Sequence, residues 1–183
     1  MRKLRNEELD RKTPDEFKMS KKNPLVVVLD NVRSQHNIGS VFRTSDAFLI
    51  EAVYLCGISA TPPNKEMHKT ALGAEMVINW KYREETLDAI DELKKAGYTI
   101  LSIEQADGSK TLQDYEIFPD KKYALVFGHE IKGVSQEVVN ASDDCIEIEQ
   151  HGTKHSLNIS VSAGIVIWEF YKVLMAKKKE RSS

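Results

Sequence analysis

The chain has 183 residues, 41% hydrophobic and 30% charged, with a formal net charge of −2. That length suits one domain with a sizeable core, and the near-neutral balance means that any polyanionic partner must be met by a local basic patch. Cys56 and Cys145 are the only cysteines, which argues against a disulfide framework and suits a reducing cytosol, so a cytoplasmic protein is expected. The opening "MRKLRNEELD" lacks the apolar stretch of a secretory signal, and uninterrupted apolar runs fall short of a membrane span.

Residues 1–23 read as a charged helical extension. In "TPDE", Thr13 serves as N-cap, Pro14 as the first helical residue and Glu16 as reciprocal acceptor. From Pro24 the pattern alternates. "LVVVLD" reads as a buried strand, and Asn37 to Leu49 carries apolar groups at helical spacing. "AVYLC" is the next strand, followed by a loop and a short helix through "EMHKTALG". Glu84 to Ala96 predicts an amphipathic helix with Leu87, Ile90 and Leu93 on one face, closed by Gly97 at C′. "YTILSIE", "YALVF" and "CIEIE" are further strands. Strands alternating with helices predict an α/β fold: a mostly parallel sheet with helices on both faces. Leu157 to Met175 is apolar nearly all round and needs burial on most sides, at a core or a subunit interface, with the interface preferred. Residues 177–183 form a basic tail, leaving 24–176 as the main domain.

Three stretches could carry chemistry. "GHEIKGVS", Gly128 to Ser135, matches a phosphate-binding G-x-x-x-x-G-K-[ST] loop except that Val134 replaces the lysine. Glu130 also puts a carboxylate where a triphosphate would lie, so that reading fails, and spacing alone favours a simple glycine turn. In "DNVRSQHNIGSVFRTSDAF", Arg43 points away from the Ile38–Phe42–Leu49 face and is ringed by Gly39, Ser40 and Ala47. A guanidinium among small residues is open to a bulky partner such as a phosphate, although a solvated arginine is the commoner case. In "QHGTKHSLNIS", Ser156 or Asn158 can cap the following helix. His151 and His155 with Cys145 make only half a metal motif, so no metal is expected.

Together these stretches resemble the three motifs of the SpoU (TrmH-like) family of RNA ribose methyltransferases, in the SPOUT superfamily. Asn37, Gly39 and Arg43 match the first motif, Gly128, Glu130 and Gly133 the second, and Ser156, Leu157 and Asn158 the third; the likeness covers roughly Pro24 to Met175. The resemblance implies S-adenosylmethionine as cofactor, a ligand without phosphates that has no use for the missing lysine. It implies a C-terminal trefoil knot forming the pocket, and a homodimer with active sites at the interface. The cofactor is expected against Ile103, Gly128, Ile148, Ser156 and Leu157. Asn37, Arg43, Glu130, Ser156 and Asn158 are the expected catalytic set, with Arg43 supplied by the other subunit near the ribose and its phosphate. A guanidinium is a poor base, so electrostatic stabilisation of the developing alkoxide is its expected role. The implied reaction is methyl transfer to a ribose 2′-hydroxyl of tRNA or rRNA. Arg33, Lys65, Lys69, Lys132, Lys154 and the C-terminal lysines are the expected basic surface. Glu149 and Gln150 depart from the proline that commonly follows Ile148 in the family. A non-catalytic RNA-binding or assembly factor with the same fold is the alternative.

Overall fold

The computed structural model describes residues 1–180, and for Asn6 and residues 177–180 the backbone alone. Seven strands form one sheet: β1 (Asn23–Asp30), β2 (Ile50–Cys56), β3 (Trp80–Arg83), β4 (Tyr98–Ile103), β5 (Lys110–Thr111), β6 (Lys122–Phe127) and β7 (Asp144–Glu147). Their order is β3-β2-β1-β6-β4-β7-β5, and every pairing is parallel. The central strands are apolar on both faces because both faces are covered. Leu25, Val27 and Leu29 of β1 enter one core, and Val26 and Val28 enter the other. Each such side chain, removed from water, contributes about 1.5–3 kcal/mol.

The helices are α1 (Pro14–Met19), α2 (Gln35–Ala47), α3 (Lys65–Ala71), α4 (Thr86–Lys95), α5 (Gln136–Ala141) and α6 (Ile159–Glu180). Residues of α2, α3 and α6 fill the first core, and those of α4 and α5 the second. The capping box before α1 forms as expected, and Phe17 fixes that helix to the first core. Helix α2 ends before Leu49, whose φ of +51° takes it out of helical geometry. Gly39 allows α2 to lie tightly on α3: a Cβ there would sit 2.2 Å from both the Met67 carbonyl oxygen and Thr70 Oγ1. Gly39 is therefore a packing residue.

The expected face of α4 needs correction. Ala89, Ile90 and Leu93 are buried, together with Thr86, whereas Leu87 is 37% exposed. Helix α4 also holds Glu92, whose carboxylate accepts from Tyr54 OH (2.8 Å), Lys81 Nζ (2.6 Å) and the Arg83 guanidinium, tying it to β2 and β3. These partners, Lys81 first, hold the Glu92 pKa down at about 2.

Helix α6 continues to Glu180, so residues 177–180 of the stretch read as a tail are helical, while their side chains lie outside the described residues. Its segment Ile159–Ala176, of mean hydropathy 1.5, is long and apolar enough to cross a membrane by length and composition, although no uninterrupted apolar run suggested it. Here it is a core helix on one side, with Ala163, Val166, Ile167, Phe170 and Leu174 buried.

Candidate active site

Strand β1 sits beside β6, at the point where the chain order of the sheet reverses. Crevices at such points, beyond the C-terminal strand ends, are the usual ligand sites of open α/β sheets. Here the cavity opens beside that point, over the ends of β4, β6 and β7, and the end of β1 holds its loop. Asp30 closes β1, Glu104 follows β4, and Gly128 follows β6.

The loop 128–135 is held closed from within and from below. His129 and Gly133 exchange two backbone hydrogen bonds of 3.0 and 2.8 Å. The Val134 N–H donates to Glu104 Oε2 (2.9 Å) and the Ser135 N–H to Asp30 Oδ2 (3.0 Å). Asp30 is itself buried and accepts from Thr86 Oγ1 at 2.6 Å. These are the N–H groups that a phosphate loop would turn towards its ligand, and carboxylates already occupy them. The structure thus rejects the phosphate-loop reading on grounds beyond the missing lysine.

Glu130 leaves the loop in the opposite direction and joins the first motif. Its Oε1 accepts from the Ser34 N–H (2.9 Å) and Asn37 Nδ2 (3.0 Å), and its Oε2 from the Arg33 N–H (3.0 Å). Asn37 Oδ1 in turn accepts from Asn158 Nδ2 at 3.2 Å. One residue from each motif therefore stands in a single chain, Glu130–Asn37–Asn158. Burial is the strongest influence on the Glu130 carboxyl and acts to raise its pKa. The backbone N–H groups of Ser34, Glu130 itself and Arg33, with the Asn37 amide, together outweigh it, leaving the pKa below the ordinary value of 4.5.

This arrangement has a stability consequence. Glu130→Ala strands three donors and is expected to destabilise the protein by about 1.5–3 kcal/mol at pH 7. A depressed carboxyl stabilises fully above its unfolded value and loses that contribution as pH falls through its folded one. The gap between wild type and variant, read from denaturant midpoints, should therefore be widest above pH 4.5 and narrow below it.

Asn158 also begins α6: its Oδ1 accepts from the Ser160 N–H (2.9 Å) and Oγ (2.6 Å). Of the two expected caps, Asn158 is the one used. A cavity of about 600 Å³ opens between these elements, lined by Ile103, Gly128, Ile148, Ser156 and Leu157, and by Glu130 and Asn158 of the catalytic set. Residues 149–157 make no backbone–backbone hydrogen bond among the described residues. Gln150 lines the cavity, whereas Glu149 accepts from Gln113 Nε2 at 3.1 Å.

Arg43 stands apart. It lies six residues beyond Asn37 on α2, which places it about 9 Å further along the helix axis and well round its circumference. It is exposed, does not line the cavity, and forms no hydrogen bond or ion pair among the described residues. The side chains of Arg33, Lys65, Lys132 and Lys154 are likewise exposed and unpaired among the described residues, while Lys69 is engaged by Glu66 at 2.7 Å. No cluster of three or more His, Cys, Asp or Glu residues able to hold a metal occurs among the described residues. Burial raises the thiol of Cys145 and pushes that of Cys56 up to about 12, leaving neither suited to act as a thiolate.

Asp30, Glu104 and Gln105 were not singled out by sequence, although each stands at the polar end of an apolar strand. That position in a βα pattern is the available signal for a site.

This parallel sheet, its cavity over the ends of β4, β6 and β7, and the G-x-E loop joined through Asn37 to a helix-capping asparagine invite comparison with known proteins. Residues 24–168 match the SpoU rRNA Methylase family. The chain is 32% identical over 148 residues to 23S rRNA (guanosine-2′-O-)-methyltransferase RlmB of Nitrosomonas europaea, covering 81% of this chain and 56% of that protein. Among solved structures, the A. aeolicus TrmH/SpoU tRNA modifying enzyme superposes with a TM-score of 0.79 at 26% identity, covering 90% of this chain and 82% of that one. The AdoMet-bound rRNA methyltransferase from Sinorhizobium meliloti gives 0.78 at 26% identity, with 86% and 60% covered. The chain belongs to the SpoU methylase family. It spans less than two thirds of several curated relatives: 64%, 66% and 56% of their lengths.

Proposed function

We propose that this protein transfers a methyl group from S-adenosylmethionine to a ribose 2′-hydroxyl of structured RNA, tRNA or rRNA. The observation that carries the reading is the convergence of the three motifs, through Glu130, Asn37 and Asn158, at the mouth of one cavity.

The cavity suits the cofactor. Its volume of about 600 Å³ lies within the range of small-ligand pockets. Gly128 brings bare backbone to its wall, and residues 149–157 leave backbone polar groups other than the His155 carbonyl free for a ligand, among the described residues. Ile103, Ile148 and Leu157 add apolar surface, and Glu104, Glu130 and Glu147 place carboxylates around a cationic ligand. Ile103, Gly128, Ile148, Ser156 and Leu157 would hold S-adenosylmethionine, which when bound supplies an electrophilic methyl carbon on a sulfonium.

Glu130 is a positioning group here, because its oxygens are committed to three donors and its low pKa makes it a weak base. It fixes the turn into α2 and orients Asn37, leaving Asn37, Ser156 and Asn158 to face the ribose. The partner subunit's Arg43 binds the flanking phosphate and stabilises negative charge developing on the 2′-oxygen. Alignment of that oxygen with the methyl group provides much of the remaining rate. The hydroxyl proton leaves to solvent.

A homodimer follows from the same reading. Val161, Ile165 and Trp168 recur along one stripe of α6 and are 49%, 39% and 47% exposed. Trp168 stacks with Tyr171, and Phe48 at the end of α2 packs 5.5 Å from Trp168. Covering this stripe with a second copy removes apolar surface from water and brings an α2 from the partner towards the cavity. A trefoil knot of the chain after β6 belongs to the proposal, as does a cytoplasmic location. Arg33, Lys65, Lys132 and Lys154 supply phosphate contacts.

Calorimetric titration with S-adenosylmethionine, with ATP as control, tests the pocket. Binding of the methyl donor alone is expected. Binding of ATP alone, or of neither ligand to a folded dimer, would overturn the enzyme reading, and the latter would favour a non-catalytic RNA-binding factor.

A further inference from the structure

Two consecutive residues at the end of β4 hold two different walls of the cavity. Glu104 accepts from the Val134 N–H and so fixes the loop 128–135. Gln105 turns to the other wall, and its Nε2 donates to the His155 carbonyl oxygen at 3.0 Å. The segment it reaches needs such a tie. Residues 149–157 close no backbone–backbone hydrogen bond among the described residues, and 151–158 are exposed. Its start is held by the Gln113–Glu149 contact and its end by Asn158, bonded to Asn37. Between them, His151 approaches Glu149 of the same segment at 3.7 Å. Gln105 supplies the one hydrogen bond among the described residues that ties residues 150–157 to the sheet.

We propose that Gln105 is a positioning residue that fixes the 149–157 segment, so that Ser156 and Leu157 stand in place before a ligand enters. The consequence for binding rests on the reading of the cavity as the S-adenosylmethionine pocket. An ordered wall removes a loss of freedom that would otherwise accompany binding. The chemistry requires a donor, because a carbonyl oxygen only accepts. Glutamine meets that requirement, whereas an ionised glutamate of the same shape places acceptor against acceptor.

The experiment compares wild type, Gln105→Ala and Gln105→Glu by backbone amide NMR relaxation of the free protein and by calorimetry with S-adenosylmethionine. Both variants are expected to show lower backbone order parameters at 149–157 with little change elsewhere, and to bind about tenfold more weakly. In methyl transfer the KM for the donor should rise while kcat changes little. Unchanged order parameters in Gln105→Glu overturn the proposal, since a residue acting by bulk alone tolerates that isosteric change. The relaxation readout uses no ligand, so it judges Gln105 separately from the pocket reading. Absence of donor binding by wild type defeats only the pocket reading.

Discussion

Arg43→Ala should reduce methyl transfer by about 10²–10³-fold, the scale seen when one donor to a developing oxyanion is removed. The affinity for S-adenosylmethionine should stay within about twofold, because Arg43 does not line the cavity. Stability should move by no more than about 0.5 kcal/mol, as expected for an exposed side chain without partners among the described residues. Arg43→Lys keeps the charge but loses the planar fork, so only partial activity should return. Supply of Arg43 across a dimer makes a sharper demand. Mixing Arg43→Ala chains with Gly128→Ala chains should rebuild one intact site per heterodimer and restore about a quarter of the wild-type activity. Wild-type turnover by Arg43→Ala would remove this residue from the site.

Gly128→Ala is expected to abolish donor binding, weakening it by more than about 10²-fold. A Cβ at this position would lie 2.0 Å from the Gly133 carbonyl carbon and 2.1 Å from the Val134 nitrogen. Both are backbone atoms of a loop already pinned by Glu104, Asp30 and the His129–Gly133 bonds, so the clash cannot be relieved by turning a side chain. Overpacking of this kind should also destabilise the fold by about 1–3 kcal/mol. Calorimetry and a denaturation midpoint read the two effects separately. Wild-type affinity in the alanine variant would mean that the loop does not form a wall of the pocket.

The parts of this structure legible in sequence are those where burial writes a continuous pattern. "LVVVLD" and "YALVF" read as strands because parallel strands are covered on both faces. β3, "WKYR", did not, because an exposed edge strand needs no apolar run. β5 is only two residues long, and α5 only six. The misplacement of Leu87 has a similar origin. Periodicity finds an apolar stripe, but contact with the sheet selects small Ala89 and Thr86 instead.

The site shows the same division. Asn37, Glu130 and Asn158 were marked by motif, but the hydrogen bonds joining them span 93 and 121 residues of sequence. No local rule predicts such a join. Asp30 and Glu104 look in sequence like solvated strand ends, and only the returning loop reveals them as its acceptors. The isolation of Arg43 was readable on a helical wheel. Its distance from Asn37 follows from the rise of α2, and that distance makes a second subunit necessary to the account.

The most direct test of the central claim is transfer of labelled methyl groups from S-adenosylmethionine to purified tRNA and rRNA, followed by digestion to nucleosides. The account predicts label in 2′-O-methylated nucleosides of one RNA class, lost in Arg43→Ala. Label confined to the bases, or none in either RNA from a protein that binds the donor, would contradict it.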